Sequence, residues 1–247
     1  LNKASNLPSI SNRDLGGKLK VKGWYHPSAT LRIIQGLNRF SEDLDFHLSV
    51  KDDQSALSPV IAKLCRNLAL QGYTISDSMV SQKTVRSTFI KFERLLFECG
   101  LSPNEDEKLS VKLEVGANPP PGWKVERRII NTYFPFSLIH HDAPSFLSGK
   151  IHAILQRPYT KGRDFYDIIF LLSRWEGLQP NIPYLQNALI QTNYAGEAIN
   201  QESWKSVISA YARSLNWGDI QDDVRPFLIS SGDSDLMELP ILLDLLH

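Results

Sequence analysis

The chain has 247 residues, 42% hydrophobic and 22% charged, with 27 Lys and Arg against 27 Asp and Glu and a pI near 7.2. This is ordinary globular composition for one large or two modest domains, and a net charge of zero excludes a global basic field, so any RNA contact has to come from a local patch. Cys65 and Cys99 are too few and too far apart for a disulfide scaffold or zinc site and read as two buried thiols in a reducing compartment; no signal peptide or membrane-length apolar run is present, so a cytoplasmic protein with no membrane partner is expected.

Residues 1–14 are polar and aperiodic and read as an arm. Lys18, Lys20 and Lys22 alternate with Leu19, Val21 and Gly23, a short edge strand with a basic outer face. Leu31 to Asn38 reads as two helical turns with Leu31 and Ile34 inward and Ile33 as a further inward candidate, closed by Gly36. From Asp43 the polar and apolar residues alternate without a break. A half-buried strand therefore puts Asp43, Asp45, His47 and Ser49 on one face and Leu44, Phe46, Leu48 and Val50 on the other. Two carboxylates side by side repel each other unless a cation sits between them, and oxygen-only ligands suit Mg²⁺ or Mn²⁺, with a nucleotide's phosphates completing the shell. The plainer reading, two acids on the wet face of an edge strand, is the commoner meaning of Asp-x-Asp by itself.

Ser58-Pro59 supplies a cap and a first-turn proline for a helix to about Leu70, with Gly72 as its stop. Tyr73 to Phe97 is rich in β-branched and aromatic residues and reads as strand. Leu109 to Val115 alternates again and places Lys112 and Glu114 on one face, by themselves a surface ion pair. After the Asn118–Gly122 turn, Val125 to Phe136 reads as one more strand, made partly basic by Arg127 and Arg128.

Near His140 the period turns helical. A boundary at residues 137–145 divides an α/β domain, 1–140, from a helical domain, 141–247. The helix Ser145 to Arg157 puts Lys150 and Arg157 on one face, two turns apart. Pro158 to Gly162 breaks it, and the next helix, from about Arg163, carries Asp164 and Asp167 in its first turn, where acids meet the positive end of the dipole. The plain reading makes Asp164 an N-cap and pairs Asp167 with Arg163 or Arg157. Helices follow near 183–194, 201–215, 218–229 and 235–246, with Trp204, Tyr211 and Trp217 as core aromatics.

Three blocks, in order, resemble the AbiEii family of toxin nucleotidyltransferases, of the polymerase-beta-like superfamily. The first is Gly36-Leu37-Asn38-Arg39-Phe40-Ser41-Glu42-Asp43-Leu44-Asp45-Phe46, a nearly complete match that starts at Leu31. The second is the Lys112-x-Glu114 strand. The third joins Lys150-x-x-Ala153-x-x-x-Arg157 to Arg163-Asp164-x-Tyr166-Asp167-x-x-x-Leu171-Leu172, so that the resemblance spans about residues 28–173. It implies an α+β fold, a nucleotidyltransferase-like domain with a mixed, mostly antiparallel β-sheet followed by a C-terminal helical bundle. It also implies transfer of NMP from an NTP to an acceptor hydroxyl, the tRNA acceptor end first among candidates, by the toxin of a toxin-antitoxin or abortive-infection system with a cognate antitoxin.

The resemblance carries roles for single residues. Asp43, Asp45 and Glu114 would hold Mg²⁺ or Mn²⁺, with Glu114 completing the second metal's shell or acting as base. Lys150 would touch a nucleotide phosphate, aided by Arg157 or Arg163, with Asp167 also at the nucleotide and Asp164 orienting Lys150 or serving near the active site. Ser28 would meet the terminal phosphates, and Arg39 and Ser41 would position the nucleotide or fix the turn. One departure is Pro27-Ser28 where the family has paired small residues, since proline has no N–H and cannot take glycine's positive φ. It favours the alternative of a catalytically inactive nucleotidyltransferase-fold binding module; retention of Asp43, Asp45, Lys150 and Asp164 favours activity.

Overall fold

The computed structural model describes residues 24–25, 28–41, 43–48, 57–81, 85–116, 118–131 and 135–247. The chain divides into a sheet unit, residues 1–29, 42–119 and 127–140, and a helical unit, residues 30–41, 120–126 and 141–247. In chain order the elements are β1 (Trp24–Tyr25), α1 (Ser28–Gln35), β2 (Asp43–Leu48), α2 (Leu57–Leu70), β3 (Ile75–Ser81), β4 (Val85–Phe92), α3 (Leu95–Glu98) and β5 (Leu109–Gly116). Next come β6 (Val125–Ile130), β7 (Phe136–His141), α4 (Ala143–Gln156), α5 (Gly162–Arg174), α6 (Ile182–Gln191), α7 (Trp204–Arg213), α8 (Trp217–Val224) and α9 (Leu239–Leu246). The fold is α+β, as the resemblance implies. Among the described residues no helix is long and apolar enough to cross a membrane.

The sheet unit holds a five-stranded sheet in the order β1-β2-β5-β4-β3, parallel between β2 and β5 and antiparallel at every other pairing. A parallel pair needs a crossover, and here α2, β3 and β4 lie between its strands in sequence. The alternation read from the sequence decides which face is buried. Phe46, Ile90, Phe92, Leu113 and Val115 form one core with Val60, Ile61, Leu64 and Leu68 of α2. Each such side chain stabilises the unit by about 1.5–3 kcal/mol when fully buried. Gly72, at φ 91°, ends α2 while the Tyr73 N–H reaches back to the Leu68 carbonyl at 3.2 Å, a closure that needs a left-handed residue.

The helical unit has its own core. Leu31 and Leu37 pack there with Phe146, Leu147 and Ile151 of α4, Phe165, Ile168 and Leu171 of α5, and Trp204 and Ile208 of α7. Asp142 caps α4 by accepting from the Ser145 N–H at 2.9 Å, with Pro144 in the first turn. Gly36, at φ 73°, closes α1 as its sequence predicts, and Leu37 follows it into this core, whereas Ile33, an inward candidate in the sequence, is 48% exposed.

Some expectations are corrected. Strand structure stops at Phe92 instead of running to Phe97, because Arg94 takes a left-handed conformation and starts the one-turn helix α3. Val125 to Phe136 is not one strand: β6 and β7 form a separate two-stranded sheet, and Pro135, which has no N–H to give to a ladder, belongs to neither. The helix expected over 218–229 ends at Val224, where Pro226 enforces a 3₁₀ turn, and that over 235–246 starts at Leu239 with Pro240 in its first turn. Cys65 and Cys99 are free thiols, half-buried at the edge of the sheet core and not fully buried. The Lys18–Lys22 strand, Pro27 and Glu42 lie outside the described residues.

Candidate functional site

The acidic face of the sheet unit follows from register. In the parallel pairing, Asp43 lies opposite Lys112 and Asp45 opposite Glu114. Because Phe46, Leu113 and Val115 point into the core and Leu44 packs against it, the alternating residues Asp43, Asp45, Lys112 and Glu114 share the other face. Lys112 Nζ lies 2.5 Å from Glu114 Oε1, with the two side chains 31% and 30% exposed. The hydrogen bond to Glu114, and then the fields of Glu114, Asp43 and Asp45, raise the Lys112 pKa above its ordinary value. Three carboxylates and one ammonium thus act as a single charged cluster.

The acidic groups on this face offer carboxylate oxygens alone, the donor type that suits a hard divalent cation, and the Lys112 ammonium is paired with one of them. Among the described residues no three His, Cys, Asp or Glu groups close on one common metal position. On-face neighbours along a strand are about 6.6 Å apart, so side-chain rotation is needed to bring such oxygens together. His47 continues the face opposite Gly116, whose missing side chain leaves it room: a Cβ there would stand 3.0 Å from His47 Cδ2. Burial pushes His47 down to about 4, so its imidazole is neutral at pH 7.

The second cluster lies inside the helical unit. Asp167, on α5, has no exposure and Arg39 has 3%, and they form a fork, Arg39 Nε to Asp167 Oδ1 at 2.7 Å and Nη2 to Oδ2 at 2.6 Å. Lys150 Nζ, from α4, bridges Asp167 Oδ2 at 2.6 Å and Asp164 Oδ1 at 3.0 Å. Arg157 pairs with the remaining oxygen of Asp164. Burial by itself would raise the Asp167 pKa and lower those of Lys150 and Arg39. The opposite charges outweigh it, holding the Asp167 carboxyl below its usual range and both cations above theirs. Three cations against two anions leave one positive charge, and Arg157, 37% exposed, is its most open member.

That network also anchors the turn after α1. Asn38 offers its carbonyl to the Tyr166 hydroxyl at 3.5 Å, the Phe40 N–H donates to the Phe227 carbonyl at 2.7 Å, and Arg39 Nη1 donates to the Phe40 carbonyl at 2.8 Å. The first block of sequence is therefore divided. Residues up to Ser41 belong to the helical unit, while Asp43 and Asp45 belong to the sheet.

Each predicted residue has a definite place. Asp43, Asp45 and Glu114 come together on the sheet; Lys150, Arg157, Asp164 and Asp167 come together in the helical unit, joined by Arg39. Ser28 opens α1 and Ser41 is half-buried. Arg163 lies over the Phe227 ring at 3.9 Å. The plain reading of the third block is corrected: Lys161 occupies the cap of α5, Asp164 is its third residue, and Asp167 takes Arg39 and Lys150 in place of Arg163 or Arg157. Residues three apart on a helix share a side, so Asp164 and Asp167 both meet Lys150. The Arg39–Asp167 fork joins residues 128 apart, and no local period signals it. A cavity of about 350 Å³ lined by Thr160, Ser214, Leu215, Asn216, Asp219 and Ile220 contains none of the predicted residues.

Residues 29–231 match the family model described as nucleotidyl transferase AbiEii toxin, type IV toxin-antitoxin system. No curated protein matches the chain. The match begins in α1, runs past α8 and takes in both the acidic sheet face and the Arg39 network; the chain belongs to the AbiEii nucleotidyl transferase toxin family of type IV toxin-antitoxin systems.

Proposed function

We propose that this toxin moves a nucleoside monophosphate from an NTP to an acceptor hydroxyl in the cytoplasm, that the acceptor is the end of tRNA, and that a cognate antitoxin restrains it. The observation that carries the reading is the β2/β5 register, with Asp45 opposite Glu114 and Asp43 two residues before Asp45 on the same face. Asp43, Asp45 and Glu114 would hold Mg²⁺ or Mn²⁺. Such an ion, when bound, supplies charge neutralisation for the triphosphate and acidifies the acceptor hydroxyl.

Glu114 then takes the hydroxyl proton, the acceptor oxygen bonds to the α-phosphorus, and the bond to the departing pyrophosphate breaks. Lys150 already holds two carboxylates, which supports a role in orienting Asp164 and Asp167. Arg157, at the open side of the network, has the fork geometry for phosphate oxygens, with Arg163 nearby in sequence. Ser28 at the start of α1, Arg39 and Ser41 complete the nucleotide-binding set. The tRNA acceptor rests on family resemblance alone.

The test is incubation of the purified chain with bulk tRNA, Mg²⁺ and each α-labelled NTP in turn, beside Asp43→Asn and Asp45→Asn controls. Label on tRNA from wild type and from neither variant supports the whole reading. Nucleotide binding without label on tRNA refutes the acceptor, and equal labelling by Asp45→Asn refutes the assignment of the acidic face.

A further inference from the structure

The sheet face pairs three acids with one base, and that base sits among them. Lys112 lies opposite Asp43 in register and on the same strand face as Glu114, with its ammonium 2.5 Å from the Glu114 carboxylate. The side chain stays about one-third exposed, so it can swing away without opening the core.

We infer that Lys112 is a built-in counter-cation of the acidic face, which occupies Glu114 until a divalent ion takes its place. The inference rests on the metal reading given above. Three carboxylates on one face repel one another unless a positive charge is shared among them. An ammonium meets that need in the metal-free protein, but it also subtracts from the charge that attracts a divalent ion and engages one of the three proposed ligands. Loading by metal alone is thereby weakened. A metal arriving with a triphosphate brings further oxygen ligands, so the same competition ties loading to the presence of nucleotide.

The test is Mn²⁺ binding to the full chain, followed by the paramagnetic resonance signal of free Mn²⁺ at low ionic strength without nucleotide. Wild type is compared with Lys112→Met, Lys112→Gln, Lys112→Arg and Asp45→Asn. Both neutral variants are expected to bind Mn²⁺ roughly tenfold tighter than wild type, the order expected for one partly screened neighbouring charge, and Lys112→Arg to stay near wild type. The gain should shrink as salt is added. If the neutral variants bind no tighter while Asp45→Asn binds more weakly, the counter-cation role is overturned and the metal reading stands. If Asp45→Asn binds as wild type does, the metal reading falls and takes the inference with it. The Met and Gln variants differ in shape and polarity, so a folding defect in one leaves the other to decide.

Discussion

Asp167→Asn tests whether the buried network holds the helical unit together. The substitution keeps the size of the side chain and removes the one charge shared by Arg39 at 2.7 and 2.6 Å and Lys150 at 2.6 Å. Breaking a buried pair by removing one partner costs about 3–5 kcal/mol, because the surviving charges remain out of water. Asp164 keeps hold of Lys150 at 3.0 Å, so the lower end, about 3 kcal/mol, is expected here. For chains of roughly 150–250 residues 1 kcal/mol moves Tm by about 2–4 °C, giving a fall of about 6–12 °C by calorimetry at pH 7. An Arg39→Met, Asp167→Asn double-mutant cycle should show strong coupling, since the fork is lost with either residue. A loss under about 1 kcal/mol, or an additive cycle, would refute the reasoning. The pH dependence has a definite sign. The folded Asp167 carboxyl is held below its ordinary value of 3.8, so its stabilisation is fully present above that value and is lost as pH falls through the lower folded value. Asp167→Asn should flatten that acid limb of the stability curve. Lys150 acts in the opposite direction: raised above 10.5 in the folded state, it contributes fully below 10.5 and loses its contribution as pH rises through the folded value.

Asp45→Asn should lower transfer to tRNA by at least about 100-fold, as expected for a lost metal ligand, with Tm little changed; Lys150→Ala should lower both activity and Tm, and steady-state assays paired with thermal melts will separate the two. Gly162→Ala should destabilise the helical unit by about 1–3 kcal/mol in urea, because the new Cβ would stand 2.1 Å from the Ile220 carbonyl oxygen and force α5 and α8 apart. Asp142→Ala removes the acceptor for the Ser145 N–H and should cost about 1 kcal/mol in the same assay, whereas a neutral result would mean that Pro144 alone starts α4.

Alternation and spacing alone determined much of this protein. The Asp43–Val50 pattern assigned Phe46 to the core and Asp43 and Asp45 to the other face, and the Lys112-x-Glu114 strand did the same for β5, because a side-chain period of two leaves no other choice once one face is buried. Gly36 and Gly72 ended their helices where a left-handed residue is needed. Long-range pairing was decided elsewhere. That β2 and β5 are parallel neighbours, so that Asp45 meets Glu114, depends on how the strands assemble. That Arg39 forks onto Asp167, 128 residues along the chain, depends on the packing of Leu31 and Leu37 with the other helices of the helical unit. A local period says which way a side chain points, but only burial among distant segments says which charge it must neutralise, since an ion left unpaired there costs several kcal/mol.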